Sequence, residues 1–596
     1  MRPPILFGYS WVIGLRNPRA WENARMRDGN AMDGARPRGP TWGEGTAAVL
    51  IAASMAVLTV GMAQYYVDAP HAGILFKAAL DVAEGKTLFK ETLSYYGPVH
   101  VVLQALSLLA FGKNVLVIYA LAGAFQAASA FVCHLIWRRF LPPVLSLFSL
   151  ALFVGLAKGA SQAWPNHYST FFTVLCFYFL LRLFEDGRRR WGALSGLALA
   201  LAVLCRQQLI VPLPLAVFAT LALFAVPGGM AGRNVARAAG ACLAAAALTF
   251  AAFAAWLAVA GAGEDWIRQT VKSVWVFVMP SVGASSPSLP DLYRNVMQAL
   301  MSVSLSDREV YGVTYYTPRF WVVFGLAALF MALRSLGRAA AGGWRLTVTD
   351  ASVLVAAMAA LTGWVQVYPL TDTFRFANGL MPAVGLLTAL LLGAASGVPA
   401  RWAGIGVAAV LTFVLQGPLF GLAQDVKRMA DLNRGAVPDR VRVERPRALA
   451  GITLPRREAE FYARMDEALS GYLARHPGTA LITTVGDPLP LTFIEQGANA
   501  HPMFYVPPSI EFFRTRQPYK PEYRLDVANV LLYPDYYETV ETFIRTQKPL
   551  VITAGTGLPG YRTLFEEEMP NPYFYSRQFG ERPLVTILAP IGEEGR

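Results

Sequence analysis

The chain has 596 residues, of which 55% are hydrophobic and only 15% are charged, and its mean hydropathy is +0.40. This balance indicates a membrane protein with several spanning segments and argues against a soluble one. The formal net charge of +13 does not indicate a nucleic-acid partner, because many arginines lie in short links between apolar runs, the pattern that membrane topology leaves.

Residues 1–45 are polar and rich in arginine, and no cleavable signal peptide is evident in them. We expect this segment to lie in the cytoplasm and the first apolar run to act as both signal and anchor. The four cysteines lie within or at the ends of apolar runs without metal-ligand spacing, so we interpret them as core residues.

A membrane-spanning helix needs about 20 apolar residues. The first such run is 46–67, whereas 99–112 is too short and reads as a juxtamembrane helix. If 99–112 does not cross, run 114–137 returns to the cytoplasm, and every later arginine-rich link lies on that side as well. The further predicted spans, which bring the total to about eleven crossings with the C-terminus outside, are 142–158, 168–184, 191–205, 209–227, 238–262, 318–334, 350–368, 378–396 and 402–423.

The sequence thus divides into a cytoplasmic N-terminal segment (1–45), a transmembrane domain (46–423) and a soluble extracytoplasmic domain (424–596). The first extracytoplasmic loop comprises residues 68–113. Beyond residue 424, alternating patterns and amphipathic stretches replace the long apolar runs and predict a small α/β domain. Its predicted helices are 457–475 and 536–546, and its predicted strands are 479–485, 529–533, 549–553 and 584–588.

Asp68 is the first carboxylate after the first predicted span. It could cap the helix that follows, or it could act as a general base that takes a proton from an acceptor hydroxyl at the membrane surface. His71, one turn further on, could share that site or bind a donor phosphate, although a lone histidine is more often structural.

A second polar cluster, Trp164-Pro165-Asn166-His167, falls on the same predicted side. It could anchor the protein at the membrane interface or line an acceptor or sugar pocket. The turn Tyr95-Tyr96-Gly97-Pro98 reads as a fold element before the juxtamembrane helix.

Arg206 and Arg375 lie at the outward ends of spans, against the inside bias of the other arginines. An arginine there usually has an anionic partner. That partner could be internal, as Asp372 could be for Arg375, or it could be a lipid phosphate held by the guanidinium fork.

These features together resemble the GT-C superfamily of polytopic glycosyltransferases, such as the protein mannosyltransferases and the aminoarabinose lipid A transferases. The resemblance covers about residues 46–400. It lies in Asp68 after the first span and in the segments Gly85-Lys86-Thr87-Leu88-Phe89-Lys90, Tyr96-Gly97-Pro98, Phe111-Gly112-Lys113-Asn114, Arg206-Gln207 and Arg375-Phe376 before Pro382. The chain departs from the family where Ala-Pro-His rather than a second acid follows Asp68, and where the Lys-Pro-Pro of some aminoarabinose transferases is absent.

The resemblance implies an inverting transferase that uses a sugar linked to polyprenyl phosphate, with Asp68 as base and Arg206 and Arg375 as phosphate ligands. Lys77 and Lys90 are further phosphate-ligand candidates. The full set of expected substrate-binding residues is His71, Lys77, Lys90, Tyr96, Asn166, His167, Arg206, Gln207, Asp372 and Arg375. We expect no cofactor and favour a metal-free reaction, since a lipid monophosphate leaving group needs less charge neutralisation than a diphosphate.

The sequence therefore predicts an integral membrane glycosyltransferase, in a bacterial inner membrane, with its active site and C-terminal domain outside the cytoplasm. Its expected partners are membrane lipids, a polyprenyl-phosphate sugar donor and a glycan, lipid or protein acceptor of the cell envelope. The alternative is a transporter or flippase of a lipid-linked glycan, which should carry internal repeats and charges near mid-membrane. A scaffold that presents the C-terminal domain would leave Arg206 and Arg375 unexplained.

Overall fold

The structure, a computed structural model, describes residues 41–64, 69–94, 96–156, 163–225, 230, 232–272, 308–310, 313–315, 318–344, 346–364, 378–394, 402, 404–409, 416–483, 489–493, 536–554, 557–570 and 584–591. Most of these residues are helical, and a small sheet lies near the C-terminus. In chain order the helices are α1 (Trp42–Ala63), α2 (Ala69–Ala83), α3 (Pro98–Phe111), α4 (Val115–Trp137), α5 (Pro143–Leu156), α6 (Pro165–Asp186), α7 (Arg189–Cys205), α8 (Pro212–Phe224), α9 (Gly232–Ala260), α10 (Pro318–Ala341), α11 (Val348–Trp364), α12 (Ala383–Ala394), α13 (Gln416–Asn433), α14 (Arg456–Arg475) and α15 (Tyr536–Gln547).

Six of the described helical segments are long and apolar enough to cross a membrane: those of α1, α4, α6 and α9, the segment Gln207–Phe224 that contains α8, and Val323–Ala341 within α10. Shorter apolar helices accompany them. The protein is therefore an integral membrane protein with a helical bundle. Most observed helices coincide with the predicted spans, with shifts of a few residues at their ends.

The boundaries of α1 and α13 are among those that differ from the prediction. α1 begins at Trp42, before the predicted residue 46, because the Thr41 hydroxyl accepts a hydrogen bond from the Glu44 amide and caps the helix. α13 begins inside the predicted span 402–423 and continues to Asn433, beyond the predicted domain boundary at 424.

Contacts at both ends of α1 and α4 show that these helices are antiparallel. Arg138, after the last residue of α4, donates to the Glu44 carboxylate in the first turn of α1 at 2.9 Å. At the opposite end, Asn114 caps α4 and donates to the Ala450 carbonyl at 2.8 Å, while Thr453 N donates to Gln64 O after α1 at 2.9 Å.

The segment between α1 and α4 therefore starts and ends on one side of the bundle. Within it, α2 packs with residues of the C-terminal region, including Leu489 and Phe493, in one hydrophobic cluster. Over the predicted juxtamembrane stretch 99–112 the structure has the helix α3, whose 14 residues are fewer than a span needs. We call this side the first-loop end.

The next helices keep alternating in direction. Arg139, beside Arg138, pairs with Glu185 near the last residue of α6 at 2.6 Å, so α6 starts at the first-loop end. α7 then returns and places Arg206 at that end.

Glycines allow α7 to pack closely against α9. A Cβ atom on Gly196 would lie 2.0 Å from the carbonyl oxygen of Cys242, and one on Gly192 would lie 2.5 Å from that of Ala238. Small residues spaced four apart let helix backbones approach in this way within a membrane. This packing holds the first half of α7, the helix that Arg206 follows.

Beyond α13 the chain forms a small α/β domain, as predicted. Its strands are β3 (Arg440–Arg442), β4 (Thr453–Pro455), β5 (Leu481–Thr483), β6 (Leu550–Ala554), β7 (Tyr561–Glu568) and β8 (Leu584–Pro590); a further hairpin, β1 (Arg308–Val310) and β2 (Val313–Tyr315), precedes α10. The main sheet has the order β5-β6-β8-β7, with β5 and β6 parallel and the other pairs antiparallel. β7 was not predicted. Only some of its side chains are half-buried and its last three residues are glutamates, so its sequence lacks the apolar alternation that marks a strand. The predicted strand 529–533 lies outside the described residues.

Candidate active site at the first-loop end

The first loop holds a buried charge cluster in α2. Lys77 and Lys86 both donate to Asp81 Oδ1, at 2.5 and 2.7 Å. Burial lowers the pKa of Lys77 below its usual value, and the Asp81 carboxylate opposes that effect. Lys77 is therefore enclosed, and its ammonium group already has an anionic partner within the loop.

Lys90 lies in the hairpin that follows α2, where it is exposed. Burial raises the pKa of Asp265, while the nearby Arg268 and, more weakly, Lys90 oppose that increase, which places Lys90 beside the segment after α9. Of the two lysine candidates, Lys90 is the one whose ammonium group is accessible.

Gln269 clamps this hairpin from the segment that follows α9. Its Nε2 donates to the Phe89 carbonyl at 2.6 Å and its Oε1 accepts from the Ser94 amide at 3.0 Å, in a buried position. Phe89 has a φ of 72°, which non-glycine residues adopt only where the surroundings hold them. Sequence analysis missed Gln269, because a single glutamine in a loop carries no recognisable pattern.

The turn that ends the first loop is fixed by close packing. A Cβ atom on Gly97 would lie 1.9 Å from the Leu204 carbonyl oxygen, so only glycine fits there. Tyr96 packs edge-on against Trp164, with ring centroids 5.7 Å apart. The turn is a fold element, as expected. It also joins the first loop to the start of α6, through Tyr96 and Trp164, and to the end of α7, through Gly97 and Leu204.

The Trp164-Pro165-Asn166-His167 cluster begins α6, with Trp164 as the N-cap and Pro165 in the first turn. Asn166 and His167 are buried. His167 Nδ1 lies 2.9 Å from Asn378 Oδ1. Asn166 and His167 are therefore packed inside the protein at the first-loop end. Asn378, which the sequence did not reveal as a candidate, contacts His167 there.

Arg206 follows α7 and is only 3% exposed. Its Nη2 donates to Gln208 Oε1 at 2.6 Å, and the neighbouring Gln207 donates from Nε2 to the Thr270 carbonyl at 3.2 Å. Thr270 is the residue after Gln269, so the link after α7 and the first loop are held by the same segment. A buried guanidinium is a strong local source of positive potential for an anion.

Tyr96, Asn166, His167, Arg206 and Gln207 are thus brought to the first-loop end by three separate elements. The described residues do not include the candidates Asp68, Asp372 and Arg375. His71 is described only as part of the helix α2. In the sequence, Asp68 directly precedes α2, and Arg375 lies three residues before Asn378. Within the described ranges no three His, Cys, Asp or Glu side chains converge as metal ligands would.

No protein-family model matches the sequence, and no curated protein matches it. Solved structures do match. The apo oligosaccharyltransferase of Archaeoglobus fulgidus is 12% identical with a TM-score of 0.49, over 86% of this chain and 69% of that chain. AglB from the same organism, in complex with an inhibitory peptide and a dolichol-phosphate, is 12% identical with a TM-score of 0.48, over 86% and 70%.

Apo ArnT from Cupriavidus metallidurans is 13% identical with a TM-score of 0.40, over 90% of this chain and 97% of that chain. Identities of 12 and 13% with TM-scores below 0.5 leave the activity of this chain to be inferred from its own residues.

Proposed function

We propose that the protein is a membrane glycosyltransferase that moves a sugar from a polyprenyl-phosphate donor to an extracytoplasmic glycan, lipid or protein of the cell envelope. One observation carries this proposal: the buried Arg206 guanidinium lies at the first-loop end, in the part of the bundle closed by the first loop. An arginine guanidinium keeps its charge and offers a planar fork of donors, so a lipid phosphate at the rim of the bilayer would match it in charge and geometry.

In the proposed reaction the acceptor hydroxyl oxygen attacks the anomeric carbon, and the bond from that carbon to the phosphate oxygen breaks. The hydroxyl proton passes to the Asp68 carboxylate, and the electron pair of the broken bond leaves with the lipid phosphate. A single displacement of this kind inverts the anomeric configuration. Arg206 and Arg375 stabilise the charge that develops on the departing phosphate.

The first loop would give the acceptor its access to this centre. The first loop carries Lys90, which is exposed. The hairpin that contains Lys90 is held in place by Gln269. Because the C-terminal domain packs on the same end of the bundle, we propose that it contributes to binding the acceptor. The arginine distribution supports an extracytoplasmic site, and we propose that the membrane is a bacterial inner membrane.

The test uses the purified full chain, polyprenyl-phosphate-linked hexose and pentose donors, and an envelope extract from cells that lack the protein as the acceptor source. The measured product is free polyprenyl phosphate, by mass spectrometry. Asp68→Asn should lower its release by about 10²-fold to 10⁴-fold, the range for loss of a general base. Arg206→Gln should lower it by about 10²-fold or more.

Asp186→Asn is the matched control, because Asp186 ends α6 at the opposite end of the bundle. It should retain full activity. Undiminished release by Asp68→Asn would refute the proposed base. Movement of intact donor across the membrane without any free polyprenyl phosphate would instead identify a transporter.

A further inference from the structure

A cavity of about 440 Å³ lies between α1, α4, α13 and β4, and no candidate active-site residue lines it. The volume falls within the range of about 300–1,000 Å³ that is typical of small-molecule sites. The lining residues are Ala56, Val57, Val60, Gly61, Gln64, Ala120, Met429, Leu432, Asn433 and Thr453. Most of them are apolar, and the polar ones come from the ends of their elements.

The cavity extends from the bilayer to the aqueous boundary. Val57 lies inside the spanning helix α1 and is 67% exposed, so this side of the cavity faces lipid tails. Gln64 follows the last residue of α1, and its carbonyl accepts from the amide of Thr453 in the C-terminal domain. An apolar stem below a polar mouth matches the shape of an amphiphile.

Two arginines lie close to residues that line the cavity, and one of them is at its polar mouth. Arg440 Nη1 donates to the carbonyl of Thr453, a lining residue, at 3.3 Å. On α13 the exposed Arg428 precedes the lining residue Met429 and lies one helical turn from Leu432, on the same face. Guanidinium groups at the headgroup level favour an anionic phosphate.

We propose that this cavity binds an anionic glycerophospholipid of the surrounding bilayer, with one acyl chain in the apolar stem and the headgroup phosphate beside Arg440. We choose a bilayer lipid over the donor lipid as the occupant. The donor phosphate is assigned to Arg206, which follows α7, whereas this cavity lies between α1, α4, α13 and β4 on another part of the bundle. This lipid would join α1 to α13, the helix that leads into the C-terminal domain. The inference does not depend on the proposed glycosyl transfer.

The test measures lipid that stays bound to the full chain after extraction from vesicles of equal parts phosphatidylglycerol and phosphatidylcholine with identical acyl chains. Native mass spectrometry counts both lipids on each variant. Wild-type protein should retain phosphatidylglycerol in preference. Val57→Trp fills the stem and should lower retained phosphatidylglycerol by about tenfold, the loss expected when about two methylenes leave an apolar site.

Val49→Trp is the matched control, since Val49 is an exposed valine of the same helix, 52% accessible, that does not line the cavity. It should bind lipid like the wild type. Val60→Phe fills the same stem with a smaller ring and replaces Val57→Trp if that variant does not fold. Equal retention by the stem variant and by Val49→Trp would overturn the proposal.

The headgroup is tested by Arg440→Gln, which should lower the ratio of phosphatidylglycerol to phosphatidylcholine by about fivefold, as expected for one cation near the membrane surface. Arg457→Gln is its control, because Arg457 is exposed in the same domain and pairs with Glu568. An unchanged lipid ratio in Arg440→Gln would contradict the headgroup assignment. Displacement of phosphatidylglycerol by added polyprenyl phosphate at equal concentration would assign the cavity to the donor lipid and overturn the choice of occupant.

Discussion

Replacing Gln269 by methionine tests how the first loop is held. Gln269 is 2% exposed, and its amide group bonds both the Phe89 carbonyl and the Ser94 amide. Methionine keeps a similar volume but offers neither bond. A buried polar group left without its partner costs about 1–3 kcal/mol, so losing two such bonds should destabilise the closed hairpin by about 2–6 kcal/mol.

The expected result is faster hydrogen exchange at the Ser94 amide, whose hydrogen bond is removed directly. Since about 1.4 kcal/mol corresponds to a factor of ten, even the low value predicts about 30-fold faster exchange. Amides of α4 should keep their protection. Arg268→Met is the matched control, because Arg268 is the preceding residue and its bond to Glu264 is exposed. Unchanged protection of Ser94 in Gln269→Met would refute the clamp.

Two further substitutions test the packing of the bundle and the docking of the C-terminal domain. Gly196→Ala should lower the melting temperature, because the new Cβ would lie 2.0 Å from the Cys242 carbonyl oxygen and overpacking costs about 1–3 kcal/mol. The control is Gly240→Ala, whose Cβ would enter open space and should not lower the melting temperature. Asn114→Ala removes the cap of α4, worth about 1 kcal/mol, together with hydrogen bonds to two carbonyls of the C-terminal domain. Trypsin should therefore cleave the segment between α13 and α14 faster than in the wild type. The control is Asn234→Ala, at an exposed position, which should leave the cleavage rate unchanged. Equal melting temperatures for the two glycine variants, or wild-type cleavage of Asn114→Ala, would contradict the corresponding contact.

The helical bundle was predictable because a bilayer requires long apolar runs, which are visible one segment at a time. The short run 99–112 was separated from the predicted spans by its length, and the structure has a 14-residue helix there. The amphipathic helix α14 was also clear, since Phe461, Met465 and Leu469 recur at helical spacing and are buried. β7 was missed because no alternation of apolar residues marks it.

Much less of the candidate site was predictable. Ionisable residues near span ends could be recognised singly, and Arg206 is indeed buried at the first-loop end. The supporting contacts join residues that are far apart in sequence: Gln269 and Phe89 are separated by 180 residues, and His167 and Asn378 by 211. Such pairings carry no periodicity. For the same reason the sequence could name Lys77 as a further phosphate-ligand candidate without revealing that it is enclosed with Asp81.

The central claim is that Asp68 and Arg375 share the first-loop end of the bundle with Arg206. Single cysteines at positions 68, 375 and 188 test it most directly, by labelling of intact cells with a membrane-impermeant maleimide; the four native cysteines are buried and should give little background. Arg188 precedes α7 at the opposite end and serves as the internal reference. The account predicts that positions 68 and 375 react from outside while position 188 reacts only after the cells are opened. Reaction of positions 68 and 375 from opposite sides of the membrane would contradict it.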